Sequence, residues 1–336
     1  MERINFYKKP RLKNPCLIVA WPGMGEVAVK AANFLIDKLK AEEFAEIPPE
    51  EFFYLVGSKI ENGILDLPEL PYSKFYFWKD PAARRGTKSR HHDLIIFVSD
   101  AQPDLAKAEE YCQRIMDLAK EFKVKRVVGF AAMPQAIDHI QNPGVWITAT
   151  SVALLDNLKK LNLENAQVLN EGQISGLNGL FLGMAAKEGM EGFCLLGEIP
   201  LYTIQIENPK ASHAVLEAAI KILDIQVELS ELIEQSHNIE EQINKLLDFL
   251  KSGSAVTPPI GEEEIEKIKH SLSQLTKLPQ SIKEKIEKLF QEAKTDISKA
   301  NLLKAELDNW NVYREYEDRF LDLFKKSKSQ KKDQNN

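Results

Sequence analysis

The feature that most constrains this chain is an apolar strand pattern running straight into a glycine turn and then a helix. Cys16-Leu17-Ile18-Val19-Ala20 is a short apolar run, Trp21-Pro22-Gly23-Met24-Gly25-Glu26 is a turn, and Val27 to Leu39 carries apolar residues at helical spacing. A strand, turn and helix in this order belong to α/β sheets. They set a tight backbone turn at the carboxyl end of a strand, the edge where open α/β sheets bind ligands and partners.

The alternation continues through two thirds of the sequence. The pattern predicts strands over 17–20, 52–56, 74–78, 94–99, 126–131, 145–149, 193–197 and 202–204, and helices over 27–39, 105–122, 152–161, 177–187 and 211–223. Runs such as Leu94-Ile95-Ile96-Phe97-Val98 are apolar at every position. They suit a mixed, mostly parallel sheet with helices on both faces. Ser151 and Asn208-Pro209 read as helix starts. Residues 58–71 hold Asn62-Gly63 and two prolines and read as a hairpin excursion, followed by a basic loop with Arg84, Arg85, Lys88 and Arg90.

After Leu229 strands vanish. Residues 230–324 read as a helical extension with a Ser/Gly/Pro-rich linker at 251–261, and 325–336 as a polar, disordered tail. The α/β domain is therefore expected over 1–229. The apolar stripes of the extension need a partner surface, which a helical hairpin or a second protein can supply.

Candidate chemistry gathers where strands end. Pro22, Gly23, Met24 and Gly25 can cradle an anion on backbone amides or serve as a plain structural turn, because Ala28 stands where a dinucleotide fingerprint needs its third glycine. Asp100, Glu198 and the hydroxyls of Thr148, Thr150 and Ser151 each follow a strand. If the strands are parallel, they converge with the glycine turn and offer acid–base groups, although caps and turns favour the same residue types. Gly176, Asn178 and Gly179 open the helix at 177–187, and with Gly183 they suggest a smooth face for close packing against sheet or subunit. No nucleophile elbow, catalytic triad order or metal-ligand spacing is present, so neither a metal nor another cofactor is expected. His91-His92 point to opposite faces of a strand, and His139, His213, His237 and His270 are scattered and expected mostly at the surface. Cys16, Cys112 and Cys194 read as buried reduced thiols.

The 336 residues carry a formal net charge of −6, which gives no general attraction to nucleic acid. No apolar run approaches the roughly 20 residues that span a bilayer, and Met1 to Lys13 lacks a signal-peptide core, so a cytoplasmic protein without membrane contact is expected.

Taken in order, these segments resemble the proteasome assembly chaperone family named for its second chaperone subunit. The resemblance is carried by Trp21-Pro22-Gly23-Met24-Gly25-Glu26-Val27, by residues 93–103, by Arg126 to Ala132, by Val145 to Ser151, by Gly172 to Leu180, by Glu198-Ile199-Pro200 and by Asn208 to Ala211. It covers roughly Asn14 to Leu229. It implies an α/β sandwich of the nucleoside-phosphorylase type without the catalytic residues, self-association, and protein partners related to the proteasome. Some members dock through a terminal hydrophobic-tyrosine-any tail, whereas this sequence ends Lys332-Asp333-Gln334-Asn335-Asn336. The expectation is a non-enzymatic assembly or interaction protein acting as a homo-oligomer. The alternative is a hydrolase or transferase acting on a nucleoside-like compound.

Overall fold

The computed structural model describes residues 4–55, 57–81, 92–252, 280–309 and 313–330. They fall into two compact units, Met1–Asn244 and Lys245–Asn336.

In the first unit the chain forms β1 (Asn5–Phe6), β2 (Cys16–Ala20), α1 (Val27–Leu39) and β3 (Glu42–Glu46), then β4 (Lys59–Glu61), β5 (Ile64–Asp66), β6 (Ser73–Trp78) and β7 (Leu94–Ser99). It continues with α2 (Ala108–Glu121), β8 (Arg126–Gln135), β9 (Val145–Ala149), α3 (Val152–Lys159), β10 (Ala166–Val168), α4 (Leu177–Lys187), β11 (Glu191–Pro200) and α5 (Pro209–Leu223). Helix α6 (Ser230–Ser252) begins in this unit.

Nine strands form one sheet in the order β1-β3-β6-β7-β2-β8-β11-β9-β10. Its centre, β7-β2-β8-β11, is parallel. Toward one side β7-β6-β3-β1 is antiparallel throughout, and on the other β9 runs against β11 before β10 follows it in parallel. Four of the eight pairings are thus parallel, and these include the buried centre.

Alternate residues of the central strands feed two cores. Cys16, Ile18 and Ala20 face the layer of α1, α3 and α5, while Leu17 and Val19 face the layer of α2 and α4. Leu17, Ile18 and Val19 are 0% exposed, and burial of such side chains contributes about 1.5–3 kcal/mol each. This is the three-layer α/β sandwich expected from the sequence. All three cysteines are buried in it as free thiols. Burial pushes Cys16 up to about 11 and Cys112 up to about 12, and raises Cys194 as well.

Several sequence expectations hold in detail. Ser151 Oγ accepts from Leu154 N–H and Asn208 Oδ1 from Ala211 N–H, with Pro209 in the first turn of α5. The hairpin around Asn62-Gly63 is β4–β5. Others need correction. Residues 52–55 of the strand predicted at 52–56 are not a strand, and residue 56 lies outside the described residues. Pro49–Glu51 is a 3₁₀ turn, and Phe52 and Phe53 both sink against Tyr111, at ring-centroid distances of 4.9 and 6.0 Å. Two adjacent buried rings cannot alternate between strand faces. Residues 202–204 are likewise not a strand, because Leu201–Thr203 is a 3₁₀ turn. The Arg84–Arg90 cluster lies outside the described residues.

The first compact unit runs on to Asn244, past the Leu229 limit of the α/β domain expected from the sequence. Leu232 joins the core beside α5, Lys38 pairs with Glu231, and Lys210 pairs with Glu240. The linker at 251–261 lies outside the described residues from 253 onward.

The second unit contains α7 (Gln280–Thr295), α8 (Ala300–Asn309) and α9 (Tyr313–Gln330). They share a core of Ile286, Phe290, Ala293, Ala300, Leu303, Leu307, Phe320 and Leu323. Arg319 lies 4.2 Å over the Phe290 ring and forks both oxygens of Glu287. The α9 backbone reaches Gln330, into the segment expected to be disordered. Among the described residues, no helix is long and apolar enough to cross a membrane.

Candidate functional site

The carboxyl edge of the parallel centre carries the turn after β2. Trp21 is fully buried, its ring 5.3 Å from Phe97 and 6.0 Å from Phe181. Its backbone would end the strand unpaired, but the side chain of Asn178 completes it. Trp21 N–H donates to Asn178 Oδ1 at 3.2 Å, and Asn178 Nδ2 donates to Trp21 O at 3.1 Å. Gln102 Nε2 donates to Pro22 O at 2.8 Å, and its Oε1 accepts from Leu177 N–H at 3.4 Å. Glu26 N–H closes onto Gly23 O. Gly25 N–H donates to Ile204 O and Gly25 O accepts from Asn208 N–H, each at 2.8 Å. Gly25 sits at φ 61, a left-handed backbone suited to glycine. Met24 packs against the core beside α1.

These bonds bear on the two readings of the turn. The carbonyls of Pro22, Gly23 and Gly25 and the amides of Gly25 and Glu26 are tied to the chain itself. The start of α1 is occupied by Glu26, whose carboxyl is raised first by burial and then by Glu207. An incoming phosphate would meet like charge there. The bonded groups of the turn serve as a structural node.

Asn178 is placed by a second close approach. Gly176, at φ 69, starts α4 beside the Gln102 amide, and a Cβ on Gly179 would stand 2.0 Å from Ile174 O. Of the two packing roles expected of them, against sheet or against subunit, these two glycines make close approaches within the chain. Gly183 alone of that set faces open space.

The proposed acid–base groups divide. Asp100 lies at the carboxyl edge, exposed, its N–H bonded to Tyr72 O at 3.3 Å and its carboxyl raised by partial burial. Glu198 lies at the same edge with both oxygens engaged. Oε2 accepts from Gly144 N–H and Oε1 from Trp146 Nε1–H, each at 2.8 Å. It pins the loop between β8 and β9. Thr148, Thr150 and Ser151 are elsewhere. Because β9 opposes β11, Ala149 faces Phe193 at the amino end of β11. Thr150 Oγ1 accepts from Gly192 N–H at 2.8 Å, and Ser151 caps α3. Six residue steps along the strand from Gly192 to Glu198 separate these hydroxyls from Glu198 by roughly 20 Å. The convergence expected for parallel strands does not occur.

One cluster escaped the sequence reading. His139, expected at the surface, is only 8% exposed. Its Nδ1 lies 2.8 Å from Tyr202 Oη and 2.9 Å from Asp138 Oδ1, and its Nε2 lies 3.0 Å from Asn244 Oδ1. Lys210 Nζ donates to Ile140 O at 2.9 Å and pairs with Glu240. Together they latch the first half of α6 to the α/β body. Tyr202 and Asn244 stand 63 and 105 residues from His139, so no local pattern announces the cluster. Among the described residues, no group of three or more His, Cys, Asp or Glu side chains could hold a metal ion.

A three-layer α/β protein with a parallel centre, antiparallel flanks and an internally bonded carboxyl edge is the class these features define. The chain belongs to the PAC2 family, whose model matches residues 17–247. It is similar to Pyrococcus furiosus PbaB, an archaeal proteasome activator, with 30% identity and a TM-score of 0.61 over 72% of this chain and 97% of that one. Pyrococcus furiosus PbaA, an archaeal homolog of proteasome-assembly chaperone, gives 25% identity and a TM-score of 0.54 over 72% and 96%. An uncharacterized protein of Methanocaldococcus jannaschii, MJ1210, is 28% identical over 265 residues, 76% of this chain and 93% of that protein. The family match reaches past the expected limit at Leu229 and takes in most of α6.

Proposed function

We propose that this chain is a non-enzymatic, cytoplasmic assembly or activation factor for proteasome-type particles, acting through protein surfaces as a homo-oligomer. The observation that carries this reading is the likeness to PbaB, which extends over 97% of that archaeal proteasome activator at 30% identity. The carboxyl edge is consistent with it, since the side chains there are occupied in holding the turn and the neighbouring loop.

The test uses the full chain. Incubated with a purified proteasome core particle or its free α subunits, it is expected to form a complex visible by native mass spectrometry. It is also expected to change the rate of core assembly or of peptide hydrolysis by the core. Absence of both effects at micromolar protein sinks the reading. The competing enzymatic reading has carboxylates and hydroxyls at opposite edges of the sheet. It would be restored by turnover of a nucleoside-like compound that disappears in Asp100→Asn or Glu198→Gln while the protein stays folded.

A further inference from the structure

Strands β4 and β5 form a small sheet of their own in which all six residues are exposed. Ile60, Ile64, Leu65 and Leu67 are 68, 71, 69 and 68% exposed. A lone two-stranded hairpin is at best marginally stable in water, and leaving such side chains wet forgoes about 1.5–3 kcal/mol each. As an isolated element the hairpin leaves these side chains unpacked.

Lys59 stands opposite Asp66, Ile60 opposite Leu65, and Glu61 opposite Ile64. Ile60 and Leu65 therefore share one face, and Lys59, Glu61, Ile64 and Asp66 share the other. Lys59 and Glu61 already form an ion pair along that second face. Among the described residues, the outer edge of β4 has no neighbouring strand. The sequence Lys59-Ile60-Glu61 is self-complementary about its middle residue.

We propose that the outer edge of β4 pairs antiparallel with β4 of a second copy of this chain, about a two-fold axis at Ile60. This rests on the self-association proposed above and names the surface that performs it. The pairing sets Lys59 opposite the partner's Glu61 at both ends and Ile60 opposite the partner's Ile60. One face of the four-stranded sheet becomes a continuous apolar row, Leu65 and Ile60 meeting the same two residues of the second copy. On the other face Asp66, Lys59 and the partner's Glu61 alternate in sign, and opposite charges placed across strands are stabilising where like charges are not. Pairing through β5 about Leu65 would set Ile64 against Asp66 and match no charges. Tyr54, Leu55 and Tyr72 flank the hairpin in sequence at 57, 40 and 36% exposure. A specific interface buries about 1,000 Å² or more, and these side chains are exposed apolar surface beside the hairpin in sequence. The symmetry is that of a closed two-fold contact.

Charge reversal tests the register. Sedimentation velocity and native mass spectrometry on the full chain compare wild type, Lys59→Glu, Glu61→Lys, the double reversal, and an equimolar mixture of the two single variants. Wild type and the double reversal are expected to self-associate. Each single variant, with like charges opposed at both ends, is expected to associate at least tenfold more weakly. The mixture is expected to recover a one-to-one pair stronger than the self-association of either single variant. Melting temperatures that match wild type confirm that the exposed substitutions leave the body folded. Single variants that associate as wild type does overturn the β4 interface while leaving self-association in place. A wild-type chain that remains monomeric, with the hairpin free or covered by another segment or protein, overturns both.

Discussion

The turn after β2 and the β4–β5 hairpin are both short, glycine-containing reversals, and they treat their backbones and side chains in opposite ways. At the turn, Asn178, Gln102, Ile204 and Asn208 meet the peptide groups, and Trp21 fills the core beneath. In the hairpin both outer edges are unpaired among the described residues and four aliphatic side chains face solvent. The contrast teaches that a signature-like motif can be spent on architecture, while the chain leaves groups unmet at a reversal that carries no signature.

The comparison breaks most readily at Gly179. Gly179→Ala drives a methyl group into Ile174 O and is expected to cost about 3 kcal/mol, read as a lower urea midpoint in circular dichroism. A cost below about 1 kcal/mol would make the turn's support soft and the contrast false. Next is Asn178→Leu, which leaves Trp21 N–H and C=O buried without their partners. It is expected to cost about 2 kcal/mol, checked by calorimetry.

A third prediction sharpens the interior side of the contrast through pH. The thiols of Cys16 and Cys112 are raised to about 11 and about 12, so the folded chain keeps protons that the unfolded chain releases near pH 8.5–9. Their contribution to stability is complete below that pH and drains as pH rises toward the folded values. Tyr111, raised to about 12 by burial, adds to the loss above pH 10. Unfolding free energy is expected to be flat to pH 8 and to fall by about 1 kcal/mol by pH 9. A thiol reagent at pH 7.5 is expected to find no reactive cysteine until denaturant is added. The smallest effect on stability belongs to the hairpin. Ile60→Ser with Leu65→Ser is expected to move the unfolding free energy by less than about 0.5 kcal/mol while abolishing self-association in sedimentation velocity.

What the sequence made legible follows from how strongly each element depends on local pattern. The fully apolar strands, the helices with Ser151 and Asn208 caps, and the Asn62-Gly63 hairpin all carry their signal in a few adjacent residues. The two-residue β1 and three-residue β10 are too short for any periodicity to form. The direction of β9 was the consequential miss, because it removed Thr148, Thr150 and Ser151 from the site. Only residues 136–144 separate β8 from β9, with no helix between them. A parallel return needs a crossover of a dozen residues or more, so the connection length held the answer and the residue types did not. Asn178 and Gln102 act on the turn from 157 and 80 residues away. His139, with partners on 3₁₀ and helical segments far along the chain, is the same kind of case.

The brevity of β1 and β10 has a consequence of its own. A nine-stranded sheet that stops on two residues at one margin and three at the other offers passing chains no length on which to seed a fibre. The large sheet is thereby shielded at both margins from strand-by-strand stacking.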